Sequence, residues 1–439
     1  MSFEHSEKLL QETRCRGRIR SMKSWRQLCL AGICCAVLAG LILKMNRADA
    51  GREAGPMTCE FYVWQRTWAA PVSEAVTAVP EWVGGLAPLG AEVAWRSNGP
   101  PEVAWPDLDF AAIRRAGRRT GAVLRVGPRE PSLPAAITVC GIARELVARF
   151  REGGIEPSEL QVDFDCAESQ LDGYRSWLEA LRLAVAPVPV RPTALPSWLE
   201  HRAFATLARE SGGYILQVHA TERPRADAPE TALCEAARAR AWVERAGQIG
   251  VPFRVALPTY TYLVAFAPDG KVLGLEAEGE ARVWPRGTVV RAFRPDAVQF
   301  AGLMNGWLKD RPACLTGVLW YRLPVATDTL NWRWPTLAAV TAGRAPRREL
   351  RVEKSGASPV DIALVNAGET EEPLPAEVVV TGGETEADAD GVGGYRAETR
   401  GREVVFRRMP GLESARLAPG VRHPLGWLRT ASETDIHVR

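Results

Sequence analysis

From Glu60 onward, short runs rich in β-branched and aromatic residues alternate with longer runs of helical periodicity. That alternation restricts the chain to a parallel sheet joined by crossover helices. Strands are expected at residues 61–65, 92–95, 122–126, 160–165, 190–195, 214–219, 253–257 and 317–321. Helices are expected at 107–118, 134–151, 197–209, 230–248, 296–309 and 334–341, with one more placing Leu171, Tyr174, Leu178 and Leu181 on a single face. Gly153-Gly154 closes one helix, and Asp227 and Glu230 are spaced as a capping box for another. Eight such strands predict a TIM-like (β/α)8 barrel over residues 55–345, carrying a hairpin insertion at 261–292 that turns at Pro268-Asp269-Gly270. After Arg344 only short strands follow, at 350–352, 361–366, 376–381 and 403–407, which predicts a small β-sandwich over 348–439. Residues 384–390 read there as a solvated acidic loop.

The start of the chain has a different texture. Arg14, Arg16, Arg18, Arg20, Lys23 and Arg26 precede an uncharged apolar run at 28–43. Extended back to Trp25, this predicts a basic cytoplasmic segment at 1–24 and a transmembrane signal anchor at 25–45, by the positive-inside rule. The expected location is therefore an inner-membrane anchor with the main domain periplasmic or extracellular; Ala48-Asp49-Ala50 leaves a cleaved signal open as the alternative. A net charge of +3, with arginine scattered among acidic residues, gives no basic stripe, so no nucleic-acid partner is expected. Cys59, Cys140, Cys166, Cys234 and Cys314 are widely and irregularly spaced, which predicts neither a disulfide framework nor a metal site. No cofactor motif is present: there is no Gly-x-Gly-x-x-Gly, Walker loop, His-Glu-x-x-His or Gly-x-Ser-x-Gly.

Functional residues of parallel barrels lie at the C-terminal ends of the strands. Residues 160–165 read Leu-Gln-Val-Asp-Phe-Asp, and period-two alternation sets Asp163 and Asp165 on one face, roughly 6.5 to 7 Å apart at about 3.3 Å per residue. These are the expected catalytic pair, Asp165 as acid and Asp163 as its support; capping of the following helix is the alternative. The other strand ends supply Trp64, Arg66, Trp95, Arg125, Gln217, His219, Tyr260 and Trp320 as expected substrate-binding residues. Indole rings stack on the C–H faces of sugars while amides, carboxylates and arginines bond hydroxyls, so the rim suits a glycan or cell-envelope polysaccharide. Each has a plainer reading: tryptophans pack cores, a lone histidine is commonly structural, and Arg125 would neutralise the aspartates. Glu74, Glu222 and Asp328 are candidates for a second carboxylate across the cleft. His5, His201, His423 and His437 are expected away from this rim.

The blocks Phe61-Tyr62-Val63-Trp64-Gln65-Arg66, Val162-Asp163-Phe164-Asp165, Gln217-Val218-His219 and Leu257-Pro258-Thr259-Tyr260 resemble those of an uncharacterised bacterial domain family grouped with glycoside-hydrolase-like TIM barrels. The resemblance spans roughly residues 59–335; it implies the barrel, with members often exported or lipid-anchored, and transfers no established activity. A looser similarity is to chitinase-type barrels, whose fourth strand ends in alternating aspartates followed by a catalytic glutamate. Asp163 and Asp165 match the last two aspartates, but Ala167 stands where the glutamate belongs and Glu168 comes one residue late. The reading is thus an exported, membrane-anchored glycan-binding barrel with glycoside hydrolysis as its candidate activity; the alternative is a non-catalytic carbohydrate-binding or envelope-interaction module.

Overall fold

A computed structural model describes residues 51–96, 99–128, 133–218, 233–277, 283–381, 388–412 and 415–429. Eight parallel strands form a closed barrel: β1 (Thr58–Val63), β2 (Gly85–Ala94), β3 (Ala122–Val126), β4 (Leu160–Asp163), β5 (Val190–Ala194), β6 (Tyr214–Gln217), β7 (Phe253–Pro258) and β8 (Leu315–Tyr321). Each pairs with the next, and β8 pairs with β1 to close the ring. One helix follows each strand: α1 (Ala70–Thr77), α2 (Phe110–Ala116), α3 (Ala136–Glu152), α4 (Leu171–Val185), α5 (Arg202–Ser211), α6 (Ala236–Gly247), α7 (Ala297–Lys309) and α8 (Trp334–Thr341).

Local chemistry explains many boundaries. Asp109 accepts from Ala112 N at 2.8 Å and caps α2, whose far end turns at Gly117 with φ of 61°. Asp296 caps α7 through Val298 N at 2.8 Å and Gln299 N at 3.1 Å. Helix α4 buries Leu171, Tyr174, Leu178 and Leu181 as its periodicity indicates, and adds Trp177 and Val185. The expected helix at 197–209 is instead a 3-10 turn at Pro196–Glu200 followed by α5, and the capping box at Asp227 and Glu230 lies outside the described residues.

Strand β2 departs furthest from expectation, beginning at Gly85 rather than at residue 92. Its Gly85, Pro88 and Gly90 look like turn residues, but both glycines answer a steric demand of the closed barrel. A Cβ on Gly90 would lie 2.4 Å from Leu146 Cδ1, so the glycine lets α3 seat directly on the sheet, where the register to β3 shifts between Leu89 and Ala91.

The insertion after β7 is a three-stranded antiparallel sheet of Tyr262–Phe266, Val272–Glu276 and Val289–Phe293, with the expected turn at Gly270 and one strand more than a hairpin. Beyond α8, a four-stranded and a three-stranded antiparallel sheet share one core that includes Ile362, Leu364, Val380, Phe406 and Leu428. The expected acidic loop is corrected in part: Asp388–Gly391 is a strand, and residues 382–387 lie outside the description.

The expected anchor at 25–45 also lies outside the described residues, among which no helix is long and apolar enough to cross a membrane. Cys59, Cys140, Cys166, Cys234 and Cys314 are all unpaired thiols.

Candidate functional site

Strands β3 to β6 converge on one carboxylate. Asp163 closes β4, opposite Arg125 in the β3 ladder, and its side chain is 5% exposed. Arg125 Nη1 donates to its Oδ2 at 2.6 Å, while Thr193 Oγ1 and Gln217 Nε2 donate to its Oδ1 at 3.0 and 2.7 Å. A buried charge is tolerable when it is paired and its remaining lone pairs are bonded, and both conditions hold here.

Asp165 is different. The ladder stops at Asp163, where a strand through residue 165 was expected, because Cys166 N turns back onto Phe164 O at 2.9 Å. Asp165 is the middle residue of that three-residue turn; among the described residues its carboxyl has no hydrogen-bond partner. Its surface is exposed, yet the crowded mouth removes enough water to raise its pKa; the charge of Asp163 adds to the rise and Arg125 offsets part of it.

The charges extend around the rim. Arg66 grips Glu92 through Nε at 2.7 Å and Nη2 at 3.1 Å, and Arg125 Nε lies 3.4 Å from the same carboxylate. The bonds from Arg66 hold the Glu92 carboxyl below its ordinary range. A line Arg66–Glu92–Arg125–Asp163 thus alternates in sign across four successive barrel elements. Sequence reasoning missed Glu92 because it took this residue as the start of a strand, whereas β2 ends two residues later, at Ala94.

Aromatic rings form the opposite wall. Trp64 and Tyr321 meet edge-on at 5.1 Å between centroids, Tyr62 lies 5.5 Å from Trp64, and Tyr260 lies 5.3 Å from Tyr321. Arg125 reaches to 6.0 Å from the Trp64 ring. The Tyr62 hydroxyl is buried and has no partner among the described residues; burial pushes its pKa well above the ordinary value.

One expected contact is corrected. Trp320 is fully buried among the helices, because alternation along β8 turns Leu319 and Tyr321 inward and Trp320 outward; Tyr321 supplies the ring instead. Trp95 donates its indole N–H to Gly127 O at 2.9 Å and packs on the core, tying the loop after β2 to the end of β3. His219 and Glu222 lie outside the described residues.

Of the other carboxylates, Glu74 is exposed on α1. Asp328 is bound by Arg322 at 2.6 Å, and Glu168 by His201 at 3.0 Å. His201 follows β5, so a histidine expected away from the rim stands on its side of the barrel. Arg322 also donates to Ala277 O at 2.8 Å, joining the insertion to the end of β8.

A cavity of about 470 Å³ opens between the loops after β1 and β8, lined by Gln65, Arg66, Thr67, Arg322 and Asp328. Its Arg66 is linked through Glu92 and Arg125 to Asp163. Gln65 Oε1 is buried without a partner among the described residues. Among those residues no group of three or more His, Cys, Asp or Glu side chains is arranged to hold a metal ion.

Fold and site together define a TIM-like barrel with a polar, aromatic-walled mouth and a strand-rich C-terminal region. More particularly, residues 116–326 match a domain of unknown function (DUF3142) and residues 350–431 match a second (DUF8456), in keeping with the resemblance of the sequence blocks to an uncharacterised domain family. No curated protein matches the chain in sequence. Similar solved structures include the spore cortex-lytic enzyme SleL of Bacillus cereus, at 12% identity and a TM-score of 0.46 over 66% of this chain and 75% of that one. SleL of Bacillus megaterium QM B1551 is similar at 11% identity and 0.42, over 62% and 72%. Chitinase ChiA74 from Bacillus thuringiensis is similar at 10% identity and 0.43, over 88% and 100%.

Proposed function

We propose that the barrel mouth binds a glycan and that Asp165 is its proton donor. The observation that carries this is the division between two neighbouring aspartates. Asp163 is saturated by Arg125, Thr193 and Gln217, whereas Asp165 is unbonded among the described residues, faces solvent and has a raised pKa. A raised, open carboxyl beside a fixed anion is the arrangement by which an acid keeps its proton toward neutral pH. Tyr260 and Tyr321 supply faces for a sugar ring, with Trp64, 6% exposed, packed behind them, while Arg66, Arg125 and Gln217 act mainly by holding the carboxylates. Trp320 drops out of the binding set.

A non-catalytic glycan-binding barrel is the second reading, and one observation favours it. Most glycoside hydrolases use a second working carboxylate about 5 to 9.5 Å from the first. Among the described residues Glu92, Asp328 and Glu168 are each tied to a basic side chain. Screening the purified protein against polysaccharides, with Asp165→Asn in parallel, separates the readings. Hydrolysis lost in Asp165→Asn while binding persists supports the acid; binding without hydrolysis in either form supports the module; no binding of any glycan sinks both.

The charge asymmetry around residues 28–43 supports placing this mouth outside the cytoplasm, held by the 25–45 segment. Reporter fusions after Gly55 test that, and a cytoplasmic signal would remove cell-envelope glycans as substrates.

A further inference from the structure

The N-terminal end of the barrel, opposite Asp165, holds a second concentration of charge. Arg254 on β7 lies between Glu60 of β1 and Glu159, which immediately precedes β4; all three side chains are under 10% exposed. Arg119 adds a bond to Glu60 at 3.2 Å and lies 3.7 Å from Glu159. Two carboxylates therefore neutralise two guanidinium groups.

Arg191, on β5, is left over. It lines the same cavity, of about 340 Å³, but donates only to backbone carbonyls, those of Val190 and Ser211. With no carboxylate partner among the described residues, its charge makes the pocket positive by one unit: Arg119, Arg191 and Arg254 against Glu60 and Glu159. Burial lowers the Arg191 pKa; the nearby charge of Glu159 offsets part of the fall, and the like charges of Arg254 and Arg119 add to it.

The pocket is kept open by backbone. Gly212 and Gly213 have φ of 64° and 146°, and a Cβ on Gly213 would sit 3.1 Å from Pro252 O and 3.3 Å from Arg191 Nε. Larger residues would close the approach to the guanidinium.

We propose that this cavity is a binding site for a phosphate group, gripped by Arg191 with Arg119 at its edge. The planar fork of a guanidinium matches two oxygens of a tetrahedral oxyanion, and one added negative charge brings the pocket to neutrality. The volume exceeds that of one ion, at about 30 Å³ per water displaced, so the group can be free phosphate or the phosphate of a lipid headgroup.

The test is calorimetric titration of the full chain, held in a neutral detergent, with inorganic phosphate against chloride at equal ionic strength. Short-chain phosphatidic acid is titrated in a second arm. Saturable phosphate binding that Arg191→Met abolishes, and that Arg191→Lys weakens by about tenfold or more, is expected. Tighter binding of the lipid than of free phosphate assigns the headgroup as source; equal or weaker binding assigns the free ion. No saturable binding above chloride, or unchanged binding in Arg191→Lys, overturns the site. Arg191→Lys keeps the charge and serves where Arg191→Met fails to fold.

Discussion

Replacing Asp163 by alanine tests the central claim about the mouth, that this carboxylate holds four strands together. The substitution removes the acceptor for Arg125 at 2.6 Å, Gln217 at 2.7 Å and Thr193 at 3.0 Å. Taking one partner from a buried ion pair costs about 3 to 5 kcal/mol. The lower end applies, because the Arg125 side chain is 37% exposed and keeps Glu92 at 3.4 Å, while Thr193 keeps Val162 O at 3.3 Å. A loss of about 3 kcal/mol corresponds to a fall in Tm of roughly 5 °C for a domain of this size. Asp163→Asn should cost less, since a flipped Gln217 amide and a rotated Thr193 hydroxyl can meet the new amide, leaving mainly the lost charge. The Asp163→Ala/Arg125→Met pair should lose clearly less than the sum of the single changes, because removing both partners strands neither. Thermal unfolding followed by near-ultraviolet circular dichroism at pH 7 measures all four. A Tm within about 1 °C of the parent for Asp163→Ala, or strict additivity of the pair, would refute the reasoning.

Three further outcomes follow from the same structure. Asp165→Asn should leave Tm at pH 7 equal to or slightly above the parent: the raised carboxyl favours the fold below the ordinary aspartate pKa of about 3.9 and loses that contribution as pH rises through its folded value, so a marked fall at pH 7 would contradict it. Arg254→Met should destabilise by about 3 kcal/mol by leaving the buried Glu60 and Glu159 with only the half-exposed Arg119 as counter-charge. Although burial opposes ionisation of Glu159, Arg254 outweighs it and lowers the pKa; the associated stability is present above the ordinary glutamate value of about 4.3 and fades as pH falls, so the gap between Arg254→Met and parent should narrow in acid denaturation. Gly90→Ala should cost about 1 to 3 kcal/mol through overlap with Leu146, and Leu146→Ala in the same chain should recover part of it; additive losses would show that α3 does not seat there.

Alternation of period-two and helical runs carries the barrel in the sequence itself, and amphipathic α4 and the Asp296 cap show why: each is settled by residues adjacent in the chain. Trp334–Thr341 likewise needs no distant partner to be recognised. Strand β2 was not legible, since Gly85 and Gly90 answer to Glu60, Arg119 and Leu146 rather than to local propensity, and with Pro88 they read locally as a turn. The same limit applies at the mouth. Which rings face inward on β8 is decided by the phase of one strand within a closed barrel, and a one-residue step in that phase exchanges Trp320 for Tyr321. Two alternating aspartates could be read from residues 160–165, but not that one would be locked and the other free: that difference comes from Arg125, Thr193 and Gln217, which lie 38, 30 and 54 positions away and meet Asp163 only when the sheet closes.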